Sequence, residues 1–240
     1  MLLSVDISFR RAILEIAIIV VGVLIALGAD NWNSTRIDRG IEAEYLQRLA
    51  VDVSYNAELA GSIIGALERK LLQLDYLAEI LSEEESVVDA TSVVVAIGAG
   101  ADLGWTFPRF RTTTFEEMQS TGRLGLVRDV AVRAALIEYD TLVSDSVDRI
   151  QARRSGFPAY SYSLLSPNET SELNLADLGH MAPEIVEVSS SMAERVMTAI
   201  RDPDFEALLN SERNFAVFAT GIVDEHRIRA EELLSALEQT

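Results

Sequence analysis

The side chains best suited to acid–base or metal chemistry are two histidines, His180 and His226. His226 falls on an apolar helical stripe, where a polar residue is usually hydrogen-bonded within the core. A metal site on a helix would need Glu-x-x-His or His-x-x-x-His spacing, but Val223 stands where the Glu would be. His180 lies in a polar, loop-like segment, so we interpret it as solvated. Neither histidine predicts a metal or catalytic site.

Other catalytic motifs are absent from the sequence. It contains no Gly-x-Ser-x-Gly, no phosphate-binding Gly-Lys-Ser/Thr loop and no dinucleotide fingerprint. It also lacks cysteine, which excludes disulfides, thiolate metal sites and cysteine nucleophiles. The acidic run at residues 83–85 lacks the spaced oxygens and the Gly of a calcium loop, and we interpret it as a solvated turn. We therefore predict no enzymatic activity, no metal and no cofactor. A catalytic site formed by carboxylates that only folding brings together is the alternative.

Positive charge is concentrated in one stretch of an otherwise acidic chain. The net charge of −18 repels nucleic-acid phosphates, so a nucleic-acid partner is excluded. Arginines between residues 109 and 133 could bind an anion or an acidic partner, or pair with nearby carboxylates. The candidate contacts are Arg109, Arg111, Arg123 and Arg128, with Arg133 close by.

The element that must position these groups opens with an apolar run at residues 12–29, in which Glu15 is the only charge. Eighteen helical residues rise about 27 Å, close to the thickness of a hydrocarbon core. Arg10 and Arg11 precede the run and Trp32 follows it, as expected of residues at membrane interfaces. Glu15 lies one turn after Arg11, so we expect an ion pair near the headgroups. Contact of Glu15 with a partner helix is the alternative.

Residues 1–31 are therefore predicted to form an uncleaved transmembrane anchor. A buried core helix is one alternative, and a cleaved signal peptide is the other, because Ala26-Leu27-Gly28 resembles a cleavage site. The arginines nearest the apolar run precede it, which favours a cytoplasmic N-terminus and an external C-terminal domain. Arg36 and Arg39 on the other side make the count of basic residues nearly even.

Small residues at Gly22, Ala26 and Ala29 share one face of the anchor. Small-x-x-x-small faces allow transmembrane helices to approach closely, because association in lipid depends on packing. Chance placement is the alternative, but a simple tether would need no such face. We predict that this face docks on another membrane helix.

After Trp32 the sequence predicts a long stalk helix over residues 32–85. Apolar residues recur every three or four positions between residues 43 and 81, a span of roughly 58 Å as a helix. The stripe is wide, which favours packing within a bundle over a two-stranded coil, although a self-assembling coiled coil stays open. Its positions are Ala43, Leu46, Ala50, Val53, Ala57, Ala60, Ile64, Leu67, Leu71, Leu74, Ala78 and Leu81, widened by Leu49, Ile63 and Leu77.

Residues 86–240 are predicted to form an acidic helical domain. The apolar run at residues 93–97 is assigned to a helix, because nothing nearby offers a pairing strand. Thr114 and Glu117 form a capping box that opens a short helix ending at Gly122, and Asp129 caps the next helix. Trp105 and Phe107 are expected to fill the core.

Two further features complete this domain. Residues 157–183 have no clean period and are predicted to form a long loop that serves as a contact surface. Helix then resumes after the serines at positions 189–191. Asp202-Pro203 begins the last helix, which is predicted to run to about Leu237.

Two stretches carry a family resemblance. The anchor and its exit, LEIAIIVVGVLIALGADNWN, followed by EAEYLQRLAVDV, resemble a family of uncharacterised bacterial single-pass membrane proteins. The stretch TTFEEMQSTGRLGLVRDVAVRAALIEYDTL is similar to that family's second block. These stretches cover a minority of the chain. The resemblance implies a helical domain anchored in a bacterial membrane, with no established activity.

The expected architecture is all-α: a transmembrane helix that continues into a long stalk helix, packed with a C-terminal helical bundle. The expected location is the bacterial inner membrane, with the domain in the periplasm. The expected function is that of a non-enzymatic accessory or structural subunit of a membrane complex, for instance respiratory or photosynthetic. Its partners would be the lipid bilayer and other integral membrane subunits. A membrane-tethered sensor or enzyme domain that binds a small ligand is the alternative, and a homo-oligomeric coiled-coil scaffold is a third hypothesis.

Overall fold

The computed structural model describes residues 3–82, 89–101, 109–165 and 188–239. Within these residues the fold is all-α, without strands, which confirms the predicted fold class. Two long helices dominate it: α1 (Leu3–Ser82) and α7 (Pro203–Glu238). The shorter elements are α2 (Ala90–Gly100), α3 (Thr113–Ser120), a 3₁₀ helix (Arg123–Leu126), α4 (Val130–Ala152), α5 (Phe157–Leu164) and α6 (Ser190–Ala199).

Helix α1 carries the predicted anchor and the predicted stalk as one uninterrupted helix of 80 residues. No proline occurs within it, so every amide beyond the first turn can join the helical hydrogen-bond ladder. It ends at Ser82, whose hydroxyl donates to the carbonyl oxygen of Glu79 at 2.7 Å. A single stalk helix is thus confirmed, while the predicted acidic turn at residues 83–85 lies outside the described residues.

The stalk packs antiparallel to α7. Its membrane-distal residue Leu74 shares a core cluster with Phe205, near the start of α7. Its membrane-proximal residue Leu49 shares another cluster with Leu233, near the end of α7. The anchor and the end of α7 therefore lie toward the same side of the domain.

The centre of the buried stalk face differs from the predicted seam. Several predicted seam residues, such as Ala50 and Leu71, are only half-buried. The face is instead centred on a strict seven-residue repeat that includes three polar side chains. The repeat consists of Glu42, Leu49, Asn56, Ile63, Lys70 and Leu77, all buried.

Helix α7 buries the whole apolar stripe on which His226 lies, and His226 with it. Glu212 is buried on the same stripe. With these two, the three-four repeat along α7 is unbroken. It runs through Phe205, Leu209, Glu212, Ala216, Ala219, Val223, His226, Ala230, Leu233 and Leu237.

Shorter helices close the two ends of the α1–α7 pair. Far from the anchor, α2, α5 and α6 cover the stalk, and residues 93–97 are helical as predicted. Nearer the anchor, α3, the 3₁₀ helix and α4 cover it. Asp129 caps α4 by accepting from the amides of Ala131 and Val132, and Gly122 ends the α3 turn at φ 69°, both as predicted.

The predicted capping box at Thr114 and Glu117 is wrong. The N-cap of α3 is Thr112, and the Thr114 hydroxyl donates to the Asp52 carboxylate of the stalk at 2.6 Å. Glu117 pairs with Arg48 of the stalk. Thr114 and Glu117 therefore bind stalk residues and do not form the capping box that the sequence pattern favours.

The predicted loop at residues 157–183 is wrong in its first part, where α5 forms. Pro158 occupies the first turn of α5, where a missing amide proton does not weaken a helix, and Phe157 is fully buried. The remainder of that loop, with His180, and the residues Trp105 and Phe107 lie outside the described residues. Asp202 caps α7, as predicted, whereas α6 begins at Ser190 with Ser189 as its N-cap, earlier than the expected start after the serines at positions 189–191.

Candidate membrane anchor and docking face

The N-terminal part of α1 contacts nothing else in the described domain. Its most apolar stretch has a mean hydropathy of 2.5 and none of it is buried. The large apolar side chains from Ile13 to Leu27 are each 50–67 % exposed. A core helix would bury such side chains, so the buried-core alternative does not hold. The chain thus contains one N-terminal helix that is long and apolar enough to span a membrane.

The predicted interfacial residues flank this segment. Arg11 and Glu15 are exposed and lie one helical turn apart. Trp32, at the other end, is 66 % exposed. Arg10 lies within the helix, but its side chain is outside the described part. This arrangement fits an apolar segment with polar and aromatic residues at both boundaries.

Gly22, Ala26 and Ala29 are all exposed on the anchor. A Cβ atom added at Gly22 would meet no atom within 4 Å. Glycine inside a helix costs about 1 kcal/mol relative to alanine. Nothing within the described fold therefore requires glycine at this position, and docking through this face stays a prediction.

An exposed neck, residues 30–40, joins the anchor to the domain. Helical rise gives it a length of about 17 Å. Thr35 is its one half-exposed residue, and the Thr35 hydroxyl donates to the carbonyl oxygen of Asn31 at 2.8 Å. Burial begins at Ile41 and Glu42, so the domain starts well beyond the expected membrane surface.

The predicted arginines contact the stalk at several levels. Arg128 lies 3.5 Å from the Glu42 carboxylate, and the Arg123 guanidinium donates to the Tyr45 hydroxyl at 2.8 Å. Arg111 stacks on the Tyr55 ring at 3.5 Å. Arg109 is exposed. Local pairing thus accounts for three of the four candidates, and binding of an anion or a partner by them stays a prediction.

Tyr45, Arg48 and Glu117 tie α3 to the stalk. The Tyr45 hydroxyl donates to Glu117 at 2.8 Å, and Arg48 forms an ion pair with the same carboxylate. The Arg48 hydrogen bond, followed by that from Tyr45, holds the pKa of Glu117 below its usual range. The Tyr45 hydrogen bond raises the pKa of Arg123. Each charge here is matched within the fold.

A small cavity lies beside Arg111 and Tyr139. Its volume of about 20 Å³ holds one water molecule, whereas small-molecule sites typically enclose several hundred Å³. Asp140 also lines it, and burial, followed by the nearby charge of Glu116, raises the pKa of Asp140. The cavity does not support the small-ligand alternative.

His226 belongs to a buried polar layer. Its Nε2 lies 2.7 Å from the Ser146 hydroxyl, which donates to the Val143 carbonyl, and its ring stacks on Phe110 at 4.5 Å. Burial, aided by the charge of Arg149, lowers the pKa of His226 to about 4. The ring is therefore neutral at pH 7, and a hydrogen-bonded core residue is the interpretation that the geometry favours. In the described part of the chain, no cluster of three potential metal ligands occurs.

Asn56 lies at the same level of the bundle as His226. Its side-chain amide donates to the Arg111 carbonyl at 2.8 Å and accepts from the Arg111 amide at 2.7 Å. Tyr139 contacts both Asn56 and His226, and burial raises the pKa of Tyr139 to about 12. This layer fixes the segment before α3 against the stalk.

The second buried polar layer contains Lys70 and Glu212, which form an ion pair with both side chains almost fully buried. The Ser155 hydroxyl donates to the other Glu212 oxygen. A seam predicted from apolar residues alone does not reveal this layer. One signal pointed to it: Lys70 is the only lysine of the chain and continues the repeat of Leu49 and Ile63 at seven-residue steps.

No family model, curated protein or solved structure matches this chain. The resemblance to an uncharacterised bacterial family stays a prediction. The Lys70–Glu212 and His226–Ser146 contacts lie inside the bundle, whereas the anchor and the outward side of the stalk expose large apolar side chains. The candidate functional site is therefore a binding surface along α1.

Proposed function

We propose that this protein is a non-enzymatic accessory or structural subunit of a bacterial membrane protein complex. Its anchor docks on a helix of another integral membrane subunit through Gly22, Ala26 and Ala29, and the acidic domain rests on that partner outside the bilayer. The observation that carries the proposal is the continuity of α1 from the fully exposed anchor to the domain core. A subunit held in this way presents its domain at a fixed height and orientation.

Two further observations support this proposal. Gly22 has no role in packing within the described fold. The buried Lys70 and Glu212 pair with each other, and Nε2 of His226 lies within hydrogen-bond distance of the Ser146 hydroxyl, so both layers make contacts within the bundle. A simple tether would gain nothing from glycine in the anchor, whereas close helix contact in lipid would.

The docking prediction is tested by replacing Gly22 and Ala26 together with leucine. The added side chains should keep the partner helix at a distance, and the amount of partner that co-purifies in mild detergent should fall. Gly28→Leu is the matched control, because Gly28 is also exposed with open space around it but lies on another side of the helix. Membrane insertion of each variant is checked by alkaline extraction. Wild-type co-purification of an inserted double variant would rule out docking through this face.

The topology prediction places the N-terminus in the cytoplasm and the domain in the periplasm, because Arg10 and Arg11 precede the apolar run. Protease added to intact spheroplasts should therefore remove the domain, and a cytoplasmic marker protein should survive. Protease added to inverted vesicles should leave the domain intact. A domain protected in spheroplasts and cleaved in inverted vesicles would mean the opposite orientation.

A further inference from the structure

The outward side of the stalk carries exposed large apolar side chains, one of which, Tyr55, is also stacked against Arg111. Val51 is 60 % exposed and Leu72 is 67 % exposed. Ile37, Tyr55 and Tyr76 are also exposed, between 36 and 53 %. Apart from Trp32 beside the anchor, the other large apolar residues of the stalk are buried or half-buried in the domain. The five residues form one stripe and are called the outer stalk face below.

The outer stalk face continues the small-residue face of the anchor. At 100° per residue, all five side chains lie within about 60° of the direction of Gly22. The buried residues Leu49, Ile63 and Leu67 lie about 140–180° from that direction. Since α1 is uninterrupted, the two faces form one surface that runs from the membrane along the stalk, opposite the packed side.

Glycine recurs on this surface at Gly40 and Gly65 as well as at Gly22. A Cβ atom at Gly40 would meet nothing within 4 Å, and one at Gly65 would meet only the Arg69 side chain at 3.5 Å. None of the three has a positive φ. Their cost in helix stability thus has no compensation inside the described fold, as expected if another backbone approaches from outside.

The charges on this surface indicate what kind of helix fits it. Glu44 and Glu58 lie within about 40° of the direction of Gly22, with Arg36 nearer the membrane and Arg69 farther from it on the same side. In a parallel pair of copies each glutamate would oppose itself, and two chains of net charge −18 would be brought together. Juxtaposed like charges disfavour such a pair. A partner with basic side chains at the levels of Glu44 and Glu58 is complementary instead.

We infer that the outer stalk face binds a helix of a second integral membrane protein. That helix leaves the bilayer on the same side as this domain, continues beside the stalk, and carries basic residues level with Glu44 and Glu58. This inference rests on the proposed docking of the anchor and extends it outside the membrane. It assigns the partner a transmembrane helix with an extramembrane continuation, because the surface crosses the membrane boundary without a break.

The test uses the absence of cysteine from the chain. Full-length single-cysteine variants carry a benzophenone label at Ala26→Cys on the anchor, or at Val51→Cys or Leu72→Cys on the outer stalk face. Val217→Cys is the matched control, since Val217 is also 60 % exposed but lies on α7. Labelled protein is reinserted into native membranes and irradiated. The peptides that become attached to it are then identified by mass spectrometry.

The expected result is one integral membrane protein attached at all three α1 positions, through peptides that follow each other along its helix, with little adduct at Val217. Glu58→Arg should reduce the Val51 adduct by about tenfold or more, because like charges then meet.

Adduct at Ala26 alone would overturn this inference and leave the docked anchor standing. Absence of adduct at all three positions would overturn both. A second copy of this chain as the adduct, a partner without a membrane span, or equal labelling at Val217 would also overturn the inference.

Discussion

Replacing Lys70 by methionine is expected to lower the free energy of unfolding by about 3–5 kcal/mol, because the Glu212 carboxylate would be left without its cationic partner inside the bundle. The Ser155 hydroxyl alone cannot replace the lost ammonium group. Methionine fills a similar volume, so the loss reports the stranded charge and not a cavity. Urea titration of the full-length protein in detergent micelles, followed by circular dichroism, measures the change.

Two further variants separate this explanation from a general loss of charge. Lys70→Met combined with Glu212→Met removes both charges, and its stability should return to the wild-type value or exceed it. Arg213→Met breaks the neighbouring surface pair with Asp75, in which both side chains are substantially exposed, and should cost less than about 1 kcal/mol. A double variant as unstable as Lys70→Met would show that the ion pair itself, and not the stranded charge, stabilises the fold.

The two polar layers also specify how α1 and α7 align. Asn56 and Lys70 are fourteen residues apart on α1, and Glu212 and His226 are fourteen residues apart on α7. A slide by one heptad would leave Lys70 opposite an apolar residue, and both charges would then be buried without partners. Polar residues in an apolar seam are known to fix register at some expense of stability. We expect the two layers to fix the register of α1 against α7 in the same way. If they do, the register should become heterogeneous in the double variant Lys70→Met with Glu212→Met.

Local rules predicted much of this fold. Asp129 and Asp202 cap helices as their sequence context indicates, and Gly122 ends a helical turn in the left-handed conformation. These features depend on residues only a few positions apart. The boundaries of α1 and α7 followed in the same way, from long and regular apolar repeats.

The errors arise where distant residues compete with local ones. Thr114 and Glu117 match a capping box, but the stalk residues Asp52 and Arg48 bind them instead. A seam predicted from apolar residues alone leaves out Asn56 and Lys70. Their partners lie on other helices, so nothing in the neighbouring sequence marks them as buried.

The candidate site was only partly predictable for a related reason. The apolar run and its small residues identify the anchor and its Gly22 face directly. Which side of the stalk stays exposed depends on where α7 packs, and that is decided by long-range contacts. Val51 and Leu72 therefore belong to a recognisable surface only once the buried side of α1 is known.

His226 should make the domain less stable in acid. Its pKa is about 4 in the folded state, against an ordinary value near 6.5. The unfolded chain therefore binds this proton first, so stability falls as the pH is lowered from about 6.5 toward 4, by roughly 3 kcal/mol in total. The groups that face the ring do not offset the effect, because Arg149 is cationic and Tyr139 stays neutral across this range.

The many carboxylates of the chain also titrate in acid, so the contribution of His226 must be measured as a difference. The unfolding free energy of the wild type and of His226→Gln is compared at pH 7 and pH 4.5, with His180→Gln as the matched control. His226→Gln should lose less stability than the wild type over this interval, by roughly 2–3 kcal/mol, while His180→Gln follows the wild type. Equal acid losses in all three proteins would show that the ring is not held neutral by burial. The Ser146 hydroxyl would then face an imidazolium ion in the folded state, and the buried layer would have to admit water to solvate it.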